Sequence, residues 1–450
     1  MKSAVAVITS LATFVLIPTA AWARIIHVPD SISTIQAGIT AAVNGDTVLV
    51  DSGVYQECIN FQGKAILVAS NFIFSNDTAD IENTVIDANR AGSVVTFANG
   101  EDTNSVLTGF TIRNGSATNG GGVYCRVASS PIIRSNIIEN NSTSADGAGV
   151  YITDSAAPIV IGNIIRHNST PYWGGGIYVF DGSSPTIIRN IIYDNGSTSR
   201  AGSAAAPLPE PGSGPFTVAG RLTRTLPAGA ELISCGGGIL VTNYTGLPTR
   251  PLILNNTIDG NTVSDRGGGI FSNLAEPDIR NNIITANQGY GIYHQGTAIT
   301  VSYNDIWGNA TNTGGTVQLG PGSLSANPCY VDSAANNFHL QANSPCIDSG
   351  DPTSPPDPDG TRADMGAYYH HHLAISEAHL ARVQPLRITP NPFCHCARIR
   401  NWSGPVSIYD PAGRLVRNCL GTTIGADLTP GAYLVQAQGL APVWVVKLAR

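Results

Sequence analysis

Six times in the chain a ring or a leucine follows a glycine and one aliphatic residue: Gly122-Val123-Tyr124, Gly149-Val150-Tyr151, Gly176-Ile177-Tyr178, Gly238-Ile239-Leu240, Gly269-Ile270-Phe271 and Gly291-Ile292-Tyr293. Two positions further on stand Arg126, Thr153, Phe180, Thr242, Asn273 and Gln295. In short strands, alternate side chains leave on opposite faces. The aliphatic residue of each set, and the set Cys125, Ile152, Val179, Val241, Ser272 and His294, are mostly apolar and take the inner face. The rings and the more polar set then point outward. An exposed file of Tyr124, Tyr151, Tyr178, Phe271 and Tyr293 is a platform for sugar rings. The C–H faces of sugars pack on aromatic faces, while side chains such as Asn273 and Gln295 bind hydroxyls. The plainer alternative is that stacked rings stabilise the strands with no ligand at all.

Catalysis on that face would need more. Calcium-assisted elimination requires several carboxylates to hold the ion and a base to take the proton, and glycoside hydrolysis requires neighbouring acids. The outward positions contain no acid, and Arg126 is their only basic residue. Asp154 and Asp181 sit at strand ends, so Arg126, Asp154 and Asp181 are the catalytic candidates, with solvated turn residues as the alternative. Asp265-Arg266 is a further acid–base pair just before Gly267, and His167 and His294 read as structural. Asp357, Asp359 and Asp364 are candidates for a calcium site, but the full ligand spacing with a distal Glu is missing and Asp-stabilised turns compete. His370-His371-His372 reads as a solvated run.

The elements that position these residues follow from a repeat. Asn136, Asn163, Asn190, Asn256, Asn282 and Asn304 each precede a short aliphatic run, and Asn141, Asn168, Asn195, Asn261, Asn287 and Asn309 follow them at a constant offset of five. The period is about 22 to 27 residues, in the solenoid range. Each unit carries three short β-branched or aliphatic runs split by Gly, Asn, Ser and Pro, which no helical repeat could use. Three strands per turn, each pairing with its copy in the next turn, make a parallel β-helix in which equivalent asparagines form amide ladders. From Asn195 to Gly238 the connection is about 35 residues longer than its equivalents, so residues 196–235 read as a long insert, either cleft wall or surface excursion. The loop from Tyr244 to Thr249 is also enlarged.

These features resemble the right-handed parallel β-helix superfamily, which includes pectate lyases. The resemblance runs from about Ile25 to Asn309. It implies that Thr34 to Ala42 forms a helix plugging the first coil, and that long insertions flank the substrate-bearing sheet. Residues 326–368, with Ser344-Pro345-Cys346 and Asp357-Pro358-Asp359-Gly360, resemble the closing segment of bacterial surface β-helix proteins and imply a cap on the last coil. After a linker, 369–385, residues 386–450 turn to alternating short strands with turns at Pro411-Ala412-Gly413 and Thr429-Pro430-Gly431, which predicts a small immunoglobulin-like β-sandwich. Pro390-Asn391-Pro392-Phe393, Ile408-Tyr409-Asp410 with Gly413-Arg414, Leu428-Thr429-Pro430-Gly431-Ala432-Tyr433 and Lys447-Leu448-Ala449-Arg450 resemble the C-terminal sorting domain of the type IX secretion system. That resemblance implies the type IX machinery as a partner.

Composition sets the outer limits. The chain has 450 residues, a net charge of −7 and only 12% charged residues, with 49 Gly and 28 Pro. That excludes a basic nucleic-acid-binding surface and a disordered chain. Residues 1–23 read as a secretory signal peptide: Lys2, an apolar run ended by Pro18, and Ala21-Trp22-Ala23 as the cleavage site. Nothing after it is apolar for long enough to span a bilayer. The eight cysteines suit an oxidising compartment. Cys329 with Cys346, and Cys396 with Cys419, are candidate bridges, while Cys125 reads as a lone buried thiol. The expectation is therefore an all-β, extracellular or cell-surface protein comprising a β-helix over 24–325 and a C-terminal sandwich. It binds extracellular polysaccharide or glycan, with no certain cofactor beyond a candidate calcium. A polysaccharide lyase or glycosidase, and a non-catalytic adhesin or spacer, are the rival functions.

Overall fold

The computed structural model describes residues 23–197, 235–264, 266–372, 386–410, 414–437, 440 and 442–447. The expected leader, nearly all of the long insert, Asp265 and most of the linker lie outside the described residues. From Ile25 to Leu319 the chain winds as a parallel β-helix. Three walls of nine strands each are described, every strand pairing in parallel with its copies in neighbouring coils. One coil illustrates the path. Ile132–Arg134 lies in sheet 1, Ile137–Glu139 in sheet 2 and Val150–Ile152 in sheet 3. A fourth, shorter parallel sheet of five strands, including Ser142–Asp146, joins sheets 2 and 3. The three-strand expectation had no place for it. Gly196–Ser197, expected to begin the insert, is one of its strands and pairs with Ser169–Thr170 and Thr262–Val263.

The registers explain the core. In sheet 1, Ile26, Val48, Val68, Leu107, Ile133, Val160, Ile187, Ile253 and Ile279 follow one another in register. They belong to one buried cluster with Ile86, Ile112, Ile138, Ile165, Ile192, Ile258 and Ile284 of sheet 2. Each file stacks like on like at the strand spacing of roughly 4.8 Å. Burial of these side chains is the main stabilising contribution.

The bends between walls leave backbone groups unpaired inside the protein, and the asparagines satisfy them. In both ladders the side-chain amide of one Asn donates to the carbonyl oxygen of the next at 2.9–3.1 Å, from Asn136–Asn163 through Asn287–Asn309. The same oxygens accept main-chain N–H groups, as Asn261 Oδ1 does from Asn195. The residue before each ladder Asn has a left-handed backbone: Ser135, Asn140, Gly162, His167, Arg189, Asp194 and onward to Gly308. His167 is therefore a bend residue.

The first coil is plugged by the helix Ile35–Ala41, whose N-terminus is capped by Thr34. Ile35 and Ile39 enter the core. Gly38 permits a close approach, since a Cβ there would stand 2.9 Å from Val48. At the other end of the helix, Lys64 Nζ donates to the carbonyls of Ile39, Thr40 and Ala42 at 2.6–2.9 Å, countering the negative pole.

The segment 326–368, expected as a cap on the last coil, packs instead against the side of the coil. It runs back along the outer wall of sheet 2 as a strap. Phe338 packs on Ile191 and Tyr193, and Cys346 and Met365 pack on Ile283. Asp351 pairs with Arg280 at 2.6 Å. Neither predicted disulfide is present: Cys329, Cys346, Cys396 and Cys419 are all free. The Cys346 thiol instead donates to Asp305 at 3.3 Å.

Residues beyond the linker form two antiparallel sheets of three and four strands. They share a core that includes Ile388, Phe393 and Ile399 with Val406, Ile408, Val435 and Val445. No helix among the described residues is long and apolar enough to cross a membrane.

Candidate functional site

The outward face of sheet 3 carries the predicted file. Tyr124, Tyr151, Tyr178, Leu240, Phe271 and Tyr293 are in register from coil to coil. The inward partners, Val123 to Ile292, lie in the coil core, so the alternation was read correctly. Local sequence fixes each ring. Gly147, at φ +66, is so close to Tyr151 that a Cβ would lie 2.7 Å from the tyrosine Cβ, and Gly174 stands in the same relation to Tyr178. The first glycine of each cluster thus makes room for the side chain four residues later.

The file is not the open platform that was expected. Tyr151 is 7% exposed, Tyr178 1% and Phe271 0%. They form a second apolar cluster outside the coil with Trp173, Cys235 and Leu240, edged by Tyr172, Phe180 and Tyr244. Trp173 meets Tyr178 edge-on at 6.5 Å, and Tyr244 lies 6.4 Å from Trp173 and 6.3 Å from Phe180. The alternation in the sequence separates inside from outside; it carries no sign of what lies over the outer face. Trp173 did have a positional signal. Asp146, Trp173, Cys235 and Arg266 each precede a glycine cluster and are bridged in parallel, making another file beside the rings.

Only the ends of the aromatic file are half-buried. At one end Tyr124 stacks on Tyr151 at 5.5 Å, and the Arg126 guanidinium lies 5.8 Å from the Tyr124 ring. At the other end Tyr293 lies 4.9 Å from Tyr290 and 5.5 Å from Phe271, with Arg266 5.3 Å from its ring. Arg266 Nη1 reaches Gln295 Oε1 at 3.5 Å. Each end therefore offers a ring face beside a guanidinium.

The second outward file contains an unusual group. Phe180, Thr242, Asn273 and Gln295 are in register. Thr242 Oγ1 meets Tyr178 OH at 3.1 Å. Asn273 is 1% exposed, yet among the described residues neither Oδ1 nor Nδ2 has a hydrogen-bond partner. Burying an amide with both ends unmatched costs several kcal/mol at most and is rare.

The three catalytic candidates do not come together. Arg126 and Asp154 form an exposed ion pair at 3.3 Å. Asp181 is buried and accepts the main-chain N–H of Tyr244, which anchors the enlarged loop; burial pushes its carboxyl above the ordinary value. His294 points inward and is buried, with Nε2 against Thr297 O at 2.8 Å. The calcium candidates hold backbone turns in the strap. Asp357 accepts from Asp364 N at 2.7 Å, Asp364 from His370 N at 2.6 Å, and Asp359 from Thr361 N at 3.1 Å. Among the described residues no three His, Cys, Asp or Glu side chains converge as metal ligands.

Comparison with known proteins agrees with the geometry of the coil. The family of right handed beta helix regions matches residues 38–210 and 231–343, more than half of the chain. The chain belongs to the right-handed β-helix family. The crystal structure of pectate lyase Pel9A is similar at 15% identity, covering 78% of this chain and 97% of that one, with a TM-score of 0.38. No curated protein matches the sequence.

Proposed function

We propose that this β-helix is a secreted, cell-surface protein that recognises extracellular polysaccharide on the outer wall of sheet 3, without catalysis. The observation that carries the reading is the half-buried end of the aromatic file, where Tyr293 stands beside Tyr290, Gln295 and the Arg266 guanidinium. A sugar hydroxyl both donates and accepts, and so can accept from the Arg266 guanidinium and donate to Gln295 Oε1. The adjacent rings of Tyr290 and Tyr293 offer the apolar surface that a pyranose C–H face needs. Tyr124 with Arg126 forms a second contact at the far end of the file. Tyr151, Tyr178 and Phe271 fill the file between its two ends. The ion pair of Arg126 with Asp154 favours positioning over proton abstraction. The leader and the immunoglobulin-like, type IX sorting character of the tail belong to the same reading, since both would deliver the chain to the cell exterior.

The test is a glycan array with the full chain. Tyr293→Ala should weaken retention about tenfold, equivalent to about 1.4 kcal/mol. Gln295→Ala should lower retention as well, because it removes the amide partner offered to the hydroxyl. Retention unaffected by either change would refute the reading.

A further inference from the structure

The outer wall of sheet 1 is too apolar to face water. One outward file runs Ala69, Thr108, Arg134, Ile161, Ile188, Leu254 in consecutive register. A parallel file runs Leu67, Val106, Ile132, Ile159. The C-terminal unit closes over this wall: Ala432 and Val446 are buried in one cluster with Leu67, Val106, Ile132, Ile161 and Ile188, edged by Trp444 and Cys394. At the centre of the covered file stands Arg134. It is 7% exposed, and among the described residues its Nε has no hydrogen-bond partner and no carboxylate pairs with it. Burial alone pulls it down to about 10. Thr108 Oγ1, its neighbour in register, is buried and unmatched as well.

We propose that the outer wall of sheet 1 is a releasable docking surface for the chain's own C-terminal unit, with Arg134 as the element that keeps the contact separable. Apolar contact holds the cover on, and a largely buried guanidinium that no carboxylate among the described residues pairs opposes it. Undocking admits water to the cation and recovers its hydration. The unit has its own core, distinct from the interface cluster, so it can leave without unfolding. Closure is also incomplete: a cleft lined by Ile188, Arg189, Leu254, Tyr409, Leu434 and Trp444 remains between the two parts, spanned by Gln436 Nε2 donating to Pro358 O at 2.6 Å.

Thiol labelling of the intact chain, resolved by peptide, tests this. Ala432→Cys places a probe on the covered face, and the native Cys125, buried in the coil core, reports global opening. The probe should label at least a hundredfold faster than Cys125. Adding Arg134→Met, which keeps the bulk and removes the charge, should slow the probe at least tenfold and leave Cys125 unchanged. Val446→Cys is the second probe, giving the same readout should Ala432→Cys disturb docking. The proposal is overturned if probe and Cys125 label together, or if Arg134→Met leaves the probe rate unchanged.

Discussion

Replacing Asn195 with alanine measures what the amide ladders contribute. Its Nδ2 donates to Ile165 O at 2.8 Å, Tyr193 O at 3.1 Å and Asn261 Oδ1 at 3.0 Å. Its Oδ1 accepts from Asn168 N at 3.2 Å and Asn168 Nδ2 at 2.9 Å. Asn261 Oδ1 keeps a donor, the main-chain N–H of residue 195, and Asn168 Nδ2 keeps Ile138 O. Asn168 N–H and Ile165 C=O lose their amide partner where Asn195 is fully buried. At about 1–3 kcal/mol for each stranded group, the expected loss is about 4 kcal/mol. The control is Asn309→Ala at the half-buried end of the same ladder, where water replaces the lost partners and the expected loss is about 1 kcal/mol. Urea denaturation followed by far-ultraviolet circular dichroism gives both values. Equal losses, or a loss below about 1 kcal/mol for Asn195→Ala, would refute the claim that the bends depend on the ladder.

Two further outcomes concern the cap and the strap. Lys64→Met removes the three donations to the end of the first helix and should destabilise the chain by about 1–2 kcal/mol, with faster amide exchange over Ile35–Ala41; unchanged exchange there would contradict the assigned role. Burial pushes the Asp357 carboxyl up to about 7, against the opposing pull of Arg189 at 3.7 Å. In the unfolded chain the same group titrates near about 4, so it stays protonated only in the folded state between those limits. Its contribution is therefore neutral below about pH 4, stability falls as pH rises through 7, and the penalty is constant above that. Asp357→Asn should stabilise the protein more at pH 8 than at pH 5 by thermal denaturation, and an equal effect at both would contradict the burial argument.

The coil was legible because its determinants repeat. Each ladder asparagine, each inward aliphatic and each glycine that clears an outward ring recurs once per coil, so spacing alone assigns them. What escaped was everything contributed once. Trp173 and Tyr244 bury the middle of the aromatic file; Trp173 shares a periodic position with Asp146, Cys235 and Arg266 but is the only ring there, and Tyr244 has no periodic signature. The strap lies along sheet 2 through particular contacts, such as Phe338 with Tyr193 and Met365 with Ile283, which no local pattern encodes. Cys329 and Cys346 were near in sequence, yet Cys346 is buried beside Asp305 and Cys329 is not. The partnerless state of Asn273 is likewise a property of packing: the residue type suggested binding, but only the structure reveals that both ends of its amide lack partners among the described residues.

The outward residues of each wall nevertheless carry information of their own. A wall bathed by water alternates apolar inward with polar outward. Sheet 1 breaks that rule with Ile132, Ile159, Ile161, Ile188 and Leu254, and the C-terminal unit covers it. Sheet 2 breaks it with Ile191, Tyr193 and Ile283, and the strap covers it. Sheet 3 breaks it with Tyr124 to Tyr293, and here the cover is partial: Trp173, Tyr172 and Tyr244 close the centre and leave the terminal rings half-buried. Two walls therefore spend their outward apolar residues on the chain's own later segments, while the third retains half-buried ring faces and flanking guanidiniums at its ends. That asymmetry is the physical reason for placing ligand recognition on sheet 3.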